Sequence, residues 1–207
     1  QHTGCHALFA PPVKEIYGSD LDQQTIVHVP GVSENYCGAS RPGHFDGVAT
    51  IVCKLFNLIA PDSAFFGLKD YQQFLVIRKM VADLALPITV VGVDIVRADS
   101  GLALSSRNSY LSPEEQQTAA NLYQILLHTA RSIKSGKTDF VALEAEARDR
   151  LAALGMRPDY FKVAEAESLR AASPQDTRLA VLAAIYIGAT RLIDNLIFDL
   201  QSDSPIR

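Results

Sequence analysis

Two short segments of this sequence combine side chains suited to holding phosphate. The first runs Phe66, Gly67, Leu68, Lys69, Asp70, Tyr71, Gln72, Gln73, and the second contains Gly101 followed by Leu104, Ser105, Ser106, Arg107 and Asn108. Lys69 supplies a mobile full charge, and Gly67 lets a phosphate or adenosine approach the backbone closely. If a helix opens at Asp70, its first backbone N–H groups point toward any anion nearby. Gln73, three residues beyond Asp70, shares its helix face, whereas Gln72 points about a quarter-turn away. A neutral amide both donates and accepts, which suits a ligand bearing a hydroxyl and a carboxylate. In the second segment two hydroxyls stand beside the forked guanidinium of Arg107, a second set for an anion. Each has a plainer reading: Gly67 as a turn residue, Lys69 as solvated, Asp70 as an N-cap, Gln73 as a reciprocal cap, and the serine loop as a polar linker.

Other candidates are weaker. Arg41, Pro42, Gly43, His44 and Phe45 could present Arg41 and His44 to a carboxylate or phosphate, but Pro-Gly is also an ordinary turn. His2 and His6 are spaced like helical metal ligands, yet Gly4 lies between them and no third ligand is apparent, so a metal site is rejected. His28 and His128 read as packing or surface residues.

Composition narrows the class. A net charge of −4 gives no footprint for nucleic acid, and no apolar run reaches the ~20 residues of a membrane span. The three cysteines, Cys5, Cys37 and Cys53, have neither metal spacing nor the even count of a disulfide framework, which fits a reducing cytoplasm. The chain opens at Gln1 and enters an apolar run almost at once, as the downstream part of a longer polypeptide would.

The elements that must position these groups follow from periodicity. Residues 7–10 and 25–29 read as strands, the first buried. From Gly47 the residues Val48, Ile51, Val52, Leu55, Leu58 and Ile59 recur at helical spacing until Pro61. Residues 63–66 then read as a strand, 70–84 as a helix with Phe74, Ile77, Val81 and Leu84 inward, and 88–96 as a strand buried on both faces. That is a βαβ unit, and it sets residues 69–73 at the carboxyl edge of a parallel sheet, where open α/β folds bind ligands. Ser112, Pro113 and Glu115 open a helix to about residue 134, and a second covers 139–154 before Gly155. Strands at 160–164, 179–187 and 191–200 follow, the last two joined tightly through Gly188. Helices then strands in blocks indicate a separate α+β domain, with the boundary near residues 93–99.

Taken in order, Ala10-Pro11 with Glu15-Ile16-Tyr17, the run Gly38-Ala39-Ser40-Arg41-Pro42-Gly43-His44-Phe45, the segment 67–73, the segment 104–108 and finally Thr190-Arg191-Leu192-Ile193-Asp194-Asn195 closely resemble the pantoate:β-alanine ligase (pantothenate synthetase) family. The similarity covers residues 7–200. The resemblance implies an α/β fold: part of a Rossmann-like parallel-sheet nucleotide-binding domain over 1–95, a smaller α+β lid domain over 96–201 and a polar tail over 202–207. It implies a cytoplasmic homodimer with no nucleic-acid or membrane partner, joining pantoate to β-alanine with ATP and Mg2+ through pantoyl adenylate. Residue by residue it implies ATP contacts at Gly67, Leu68, Lys69, Asp70, Val96, Leu104, Ser105, Ser106 and Arg107. Lys69, Ser105, Ser106 and Arg107 are the catalytic set, Gln73 contacts pantoate, and no protein residue is a metal ligand.

Two departures stand out. Leu68 occupies a position where many members carry Glu. The family's His-x-Gly-His motif and first pantoate-binding glutamine are absent, and His2-Thr3-Gly4-Cys5-His6 does not replace them. The expectation is an active parent ligase and a nearly inactive 207-residue chain. The alternatives are a related adenylyl-transferring enzyme and a non-catalytic dimerisation or lid module.

Overall fold

The computed structural model describes residues 4–18 and 23–202, so the expectations for His2 and for residues 203–207 lie outside it. The architecture is mixed α/β, with a two-stranded parallel sheet and a three-stranded antiparallel sheet. Three helices come first: α1 (Val13–Tyr17), α2 (Cys37–Ser40) and α3 (His44–Ile59). The third buries Phe45, Ala49 and Phe56 and ends where Ala60 takes a left-handed conformation ahead of Pro61. It begins at His44, earlier than the periodicity suggested, because Gly43 at φ 75° supplies the turn into it.

Strand β1 (Ser63–Gly67), a 3₁₀ turn (Leu68–Asp70), helix α4 (Tyr71–Asp83) and strand β2 (Thr89–Val93) form the expected βαβ unit. Its strands are parallel, with Ser63 opposite Thr89 and Gly67 opposite Val93. Helix α4 buries Phe74, Ile77 and Val81 as anticipated, but Leu84 is its C-cap and half exposed.

Two strand expectations fail, and a third holds only in part, for one reason. Residues 7–10 form no strand, and Leu8 is 88% exposed. Residues 25–29 pair with no strand either; the Val27 N–H instead donates to Thr50 Oγ1 at 2.9 Å, and Val29 is buried. Strand β2 is shorter than 88–96 and only partly covered, with Val93 and Val96 exposed. An apolar run becomes a buried strand only where a neighbour satisfies its backbone. Among the described residues β2 has β1 alone on its ladder.

The later half follows the sequence closely. Helix α5 (Pro113–Lys134) opens on a complete capping box: Ser112 Oγ accepts from the Glu115 N–H and Glu115 Oε2 accepts from the Ser112 N–H. Helix α6 (Phe140–Ala153) is capped by Asp139. Strands β3 (Arg157–Glu165), β4 (Arg178–Ile187) and β5 (Thr190–Asp199) then form the antiparallel sheet in sequential order.

That sheet is the middle layer. Phe161, Val163, Val181, Ile185, Leu192, Leu196 and Phe198 face the apolar sides of α5 and α6. On the opposite face Ala164, Ala180 and Leu182 pack against Tyr71, Phe74 and Leu75 of α4. A third cluster joins α3 and α4 through Phe45, Ala49, Phe56, Val76 and Ile77. Helix α4 thus rests on the antiparallel sheet as well as crossing over the parallel one.

Candidate active site

The 3₁₀ turn after β1 carries Lys69 and Asp70 to a cleft of about 240 Å³ beside the antiparallel sheet. Asp70 stands at the N-cap of α4 without a side-chain capping bond, so the first turn of the helix opens on the cleft through Tyr71, Gln72 and Gln73. Ser105, Ser106 and Arg107 line another side. The two segments that are remote in sequence therefore share one cavity.

Their settings differ. Lys69 is half-buried, and neither it nor Gln73 has a side-chain hydrogen bond to the described residues, so both reach into the cleft uncommitted. Gln72 is fully committed. Its Oε1 accepts from the Cys37 N–H at 3.1 Å, and its Nε2 donates to the Val32 and Asn35 carbonyls at 2.9 and 2.7 Å. It clamps the loop leading to Arg41. That loop also turns back tightly at Gly38, where an added Cβ would stand 1.7 Å from the Ser33 carbonyl oxygen. Ser105 Oγ accepts from the Arg107 N–H at 3.2 Å, and Arg107 Nη1 donates to the Arg191 carbonyl at 3.1 Å. The serine loop is tied to β5.

Four other proposed contacts lie outside the cleft lining. Gly67 is exposed with ordinary extended backbone, and a Cβ there would meet no protein atom, so nothing in the fold requires glycine. Leu68 lies over Gly92 and borders a neighbouring groove with Asp94 and Arg97. Val96 and Leu104 are exposed. Their main chains pair, the Leu104 N–H donating to the Val96 carbonyl at 2.9 Å.

The structure also brings in groups that pattern reading ranked lower or gave no role. Arg41 and His44 do enter the cleft, with Arg41 Nη1 donating to His44 Nε2 at 3.0 Å. Burial, then the Arg41 charge, holds the imidazole below its ordinary pKa; Arg107 and Arg191 act in the same sense and Asp70 opposes them. Arg191 crosses the floor, donating to Asp159 at 2.7 Å and lying 3.6 Å from Cys37 Sγ. Burial works against its charge, but the bonds to Asp159 and Cys37 outweigh it and raise its pKa. Tyr160 Oη is 3.2 Å from Cys37 Sγ, and burial, then Cys37, pushes the phenol well up. Asp194 and Asn195 close the far end. The signal for them was present as Arg, Asp and Asn inside an otherwise apolar strand, a pattern that implies buried polar partners.

Lysine, arginines and serine hydroxyls around one cavity, with an uncapped helix start, are the groups that binding a polyanion would call for. The amide of Gln73 beside them can recognise a neutral or carboxylate-bearing group. No group of three or more His, Cys, Asp or Glu side chains that could hold a metal ion occurs among the described residues.

Comparison with known proteins agrees in sequence and in shape. The family model described as pantoate-beta-alanine ligase matches residues 1–197. A pantothenate synthetase of Pseudomonas putida is 56% identical over 198 residues, covering 96% of this chain and 69% of that protein. A Pseudomonas aeruginosa pantothenate synthetase is 54% identical over 193 residues, covering 93% and 68%. The crystal structure of the Thermus thermophilus pantothenate synthetase superposes with a TM-score of 0.87 at 41% identity, over 96% of this chain and 71% of that one. A Francisella tularensis pantoate-beta-alanine ligase, solved with β-γ ATP and β-alanine, gives 0.68 at 28% identity, over 91% and 62%. With nearly its whole length matched by the family model and by relatives more than half identical, this chain belongs to the pantoate-beta-alanine ligase family.

Proposed function

We propose that this chain supplies two walls of a site that condenses pantoate with β-alanine at the expense of ATP. The observation that carries the reading is the convergence of Lys69, Gln73 and the Ser105, Ser106, Arg107 loop on one cleft. In the first step the pantoate carboxylate attacks the α-phosphorus of ATP, forming pantoyl adenylate and releasing pyrophosphate. Lys69 and Arg107 offset the charge that builds on the phosphate oxygens, while the Ser105 and Ser106 hydroxyls and the first amides of α4 donate to them. Gln73 holds pantoate by its hydroxyl and carboxylate. In the second step the β-alanine amine attacks the acyl carbon and AMP leaves.

The main chain at Gly67, Leu68, Asp70, Val96 and Leu104 lines the nucleoside side of this proposal, and Arg41 with His44 adds to the phosphate side. Mg2+ enters as the companion of the triphosphate rather than in a protein cage. Binding of an ATP analogue and β-alanine by the Francisella relative supports the substrate set. In this reading residues 1–95 belong to a Rossmann-like domain and 96–201 to the lid, in a cytoplasmic homodimer. No helix among the described residues is long and apolar enough to cross a membrane.

A polypeptide of these 207 residues lacks a His-x-Gly-His motif, so it should form pantothenate at least about 10²-fold more slowly than the same chain preceded by a segment bearing one. Pantothenate release, read by mass spectrometry, checks this. Equal rates overturn the need for that motif beside the two walls, and no product from either polypeptide overturns the ligase reading.

A further inference from the structure

Strand β5 carries two buried polar residues side by side, and neither is explained by the strand's own ladder. Asp194 is 5% exposed and Asn195 3% exposed. Adjacent strand residues point to opposite faces. Asp194 shares the face of Leu192, Leu196 and Phe198, toward α5. There its carboxylate receives both terminal nitrogens of Arg97 at 2.7 and 2.9 Å, and Arg97 also donates to the Gly101 carbonyl at 3.1 Å. The guanidinium lies 3.7 Å from the centroid of the Tyr123 ring. Arg97 thereby pins the hairpin from Val96 to Leu104, which runs directly into Ser105, Ser106 and Arg107.

Asn195 looks the other way. Its Nδ2 donates to the carbonyls of Leu68 and Lys69, each at 2.9 Å, and so holds the 3₁₀ turn that presents Lys69 and Asp70. Its Oδ1 is buried without a partner among the described residues. A polar group left unsatisfied destabilises a fold, and an apolar residue of similar volume would avoid that penalty. Two donors on the main chain of a functional turn are what an apolar residue could not supply.

We propose that Asp194 and Asn195 are positioning residues that fix the distance between the two phosphate walls from a single strand. One anchors the serine loop through Arg97 and the other anchors the lysine turn directly. The inference rests on the ligase reading for its catalytic consequence but not for its structural one, and two measurements separate them. In hydrogen exchange on this chain, Asn195→Leu should speed exchange in segment 68–71 and leave 104–110 unchanged. Arg97→Met, which removes the guanidinium from over Tyr123 but keeps an apolar side chain and lets Asp194 take up a proton, should do the reverse. Uniform loosening of the whole chain, or no local change, overturns the proposal.

In the chain preceded by a segment bearing a His-x-Gly-His motif, the same substitutions should slow pantoate-dependent exchange of pyrophosphate into ATP by about 10²-fold, the effect expected of a misplacement near 1 Å. Attack of β-alanine on supplied pantoyl adenylate should slow by a smaller factor, since only one phosphate remains for the two walls to hold. Parallel loss in both half-reactions by folded protein overturns the positioning role. An unsubstituted enzyme without pyrophosphate exchange would instead defeat the ligase reading and leave the exchange pattern to decide the anchor. If Asn195→Leu does not fold, Arg97→Met alone decides the serine-loop half, and Asn195→Ala the other.

Discussion

His44 shows how a single side chain couples this cleft to pH. Its nearest charged neighbours are Arg41, Arg107 and Arg191, with Asp70 opposing, and burial adds to the three cations in holding the ring neutral. The folded imidazole therefore binds fewer protons than the unfolded one just below 6.5. By linkage its contribution is fully present above that value and is lost as pH falls through the lower, folded value. A bound triphosphate reverses the local field and draws the pKa back up. Titration of ATP near pH 6 in two buffers of different ionisation enthalpy should thus show more proton uptake, or less release, for this chain than for His44→Gln. Lys69, Gln73 and Arg107 could be picked out in the sequence because polar groups flanking a helix start or set in a polar loop have few structural duties. Cys37, Tyr160 and Asn195 were not, because their roles depend on partners more than a hundred positions away.

Elements with local determinants were read nearly to the residue. The Ser112 cap, Pro113 and Glu115 fix the start of α5 without help from the rest of the chain, and the helix begins where those residues say. Ser112→Ala should lower unfolding free energy by about 1 kcal/mol, seen as a shifted urea midpoint at unchanged slope. The segments 7–10 and 25–29 went wrong because hydrophobicity reports a tendency to be covered, not the presence of a cover. Strand β2 makes the same point by degrees: its type and pairing were right, and its burial on both faces was not.

Across the molecule, the antiparallel sheet and the parallel pair are unequally protected. Strand β4 is covered on both faces, its residues Leu179 to Ala184 all buried. The other end leaves Leu8, Phe9, Phe65, Val93 and Val96 in solvent. Exposed apolar groups of that size offer an apolar dye places to bind. The 207-residue polypeptide should accordingly enhance the fluorescence of an apolar dye such as anilinonaphthalene sulfonate while folded. Phe65→Thr should reduce that signal and leave the melting temperature within a few degrees, because Phe65 is 67% exposed and Thr suits a strand. Amides of β4 should be the slowest to exchange in the chain.

Strand β5 also limits how this gene can change. Its even-numbered residues serve one core and its odd-numbered residues the other, and a two-residue turn at Gly188 and Ala189 sets the count from β4. Losing or gaining one codon between Thr190 and Asn195 would exchange the two faces, turning Asn195 toward α5 and Asp194 toward Lys69, unless a bulge absorbed it. Length in that stretch is therefore heritable only in steps of two, a stricter rule than any on the identity of a single residue.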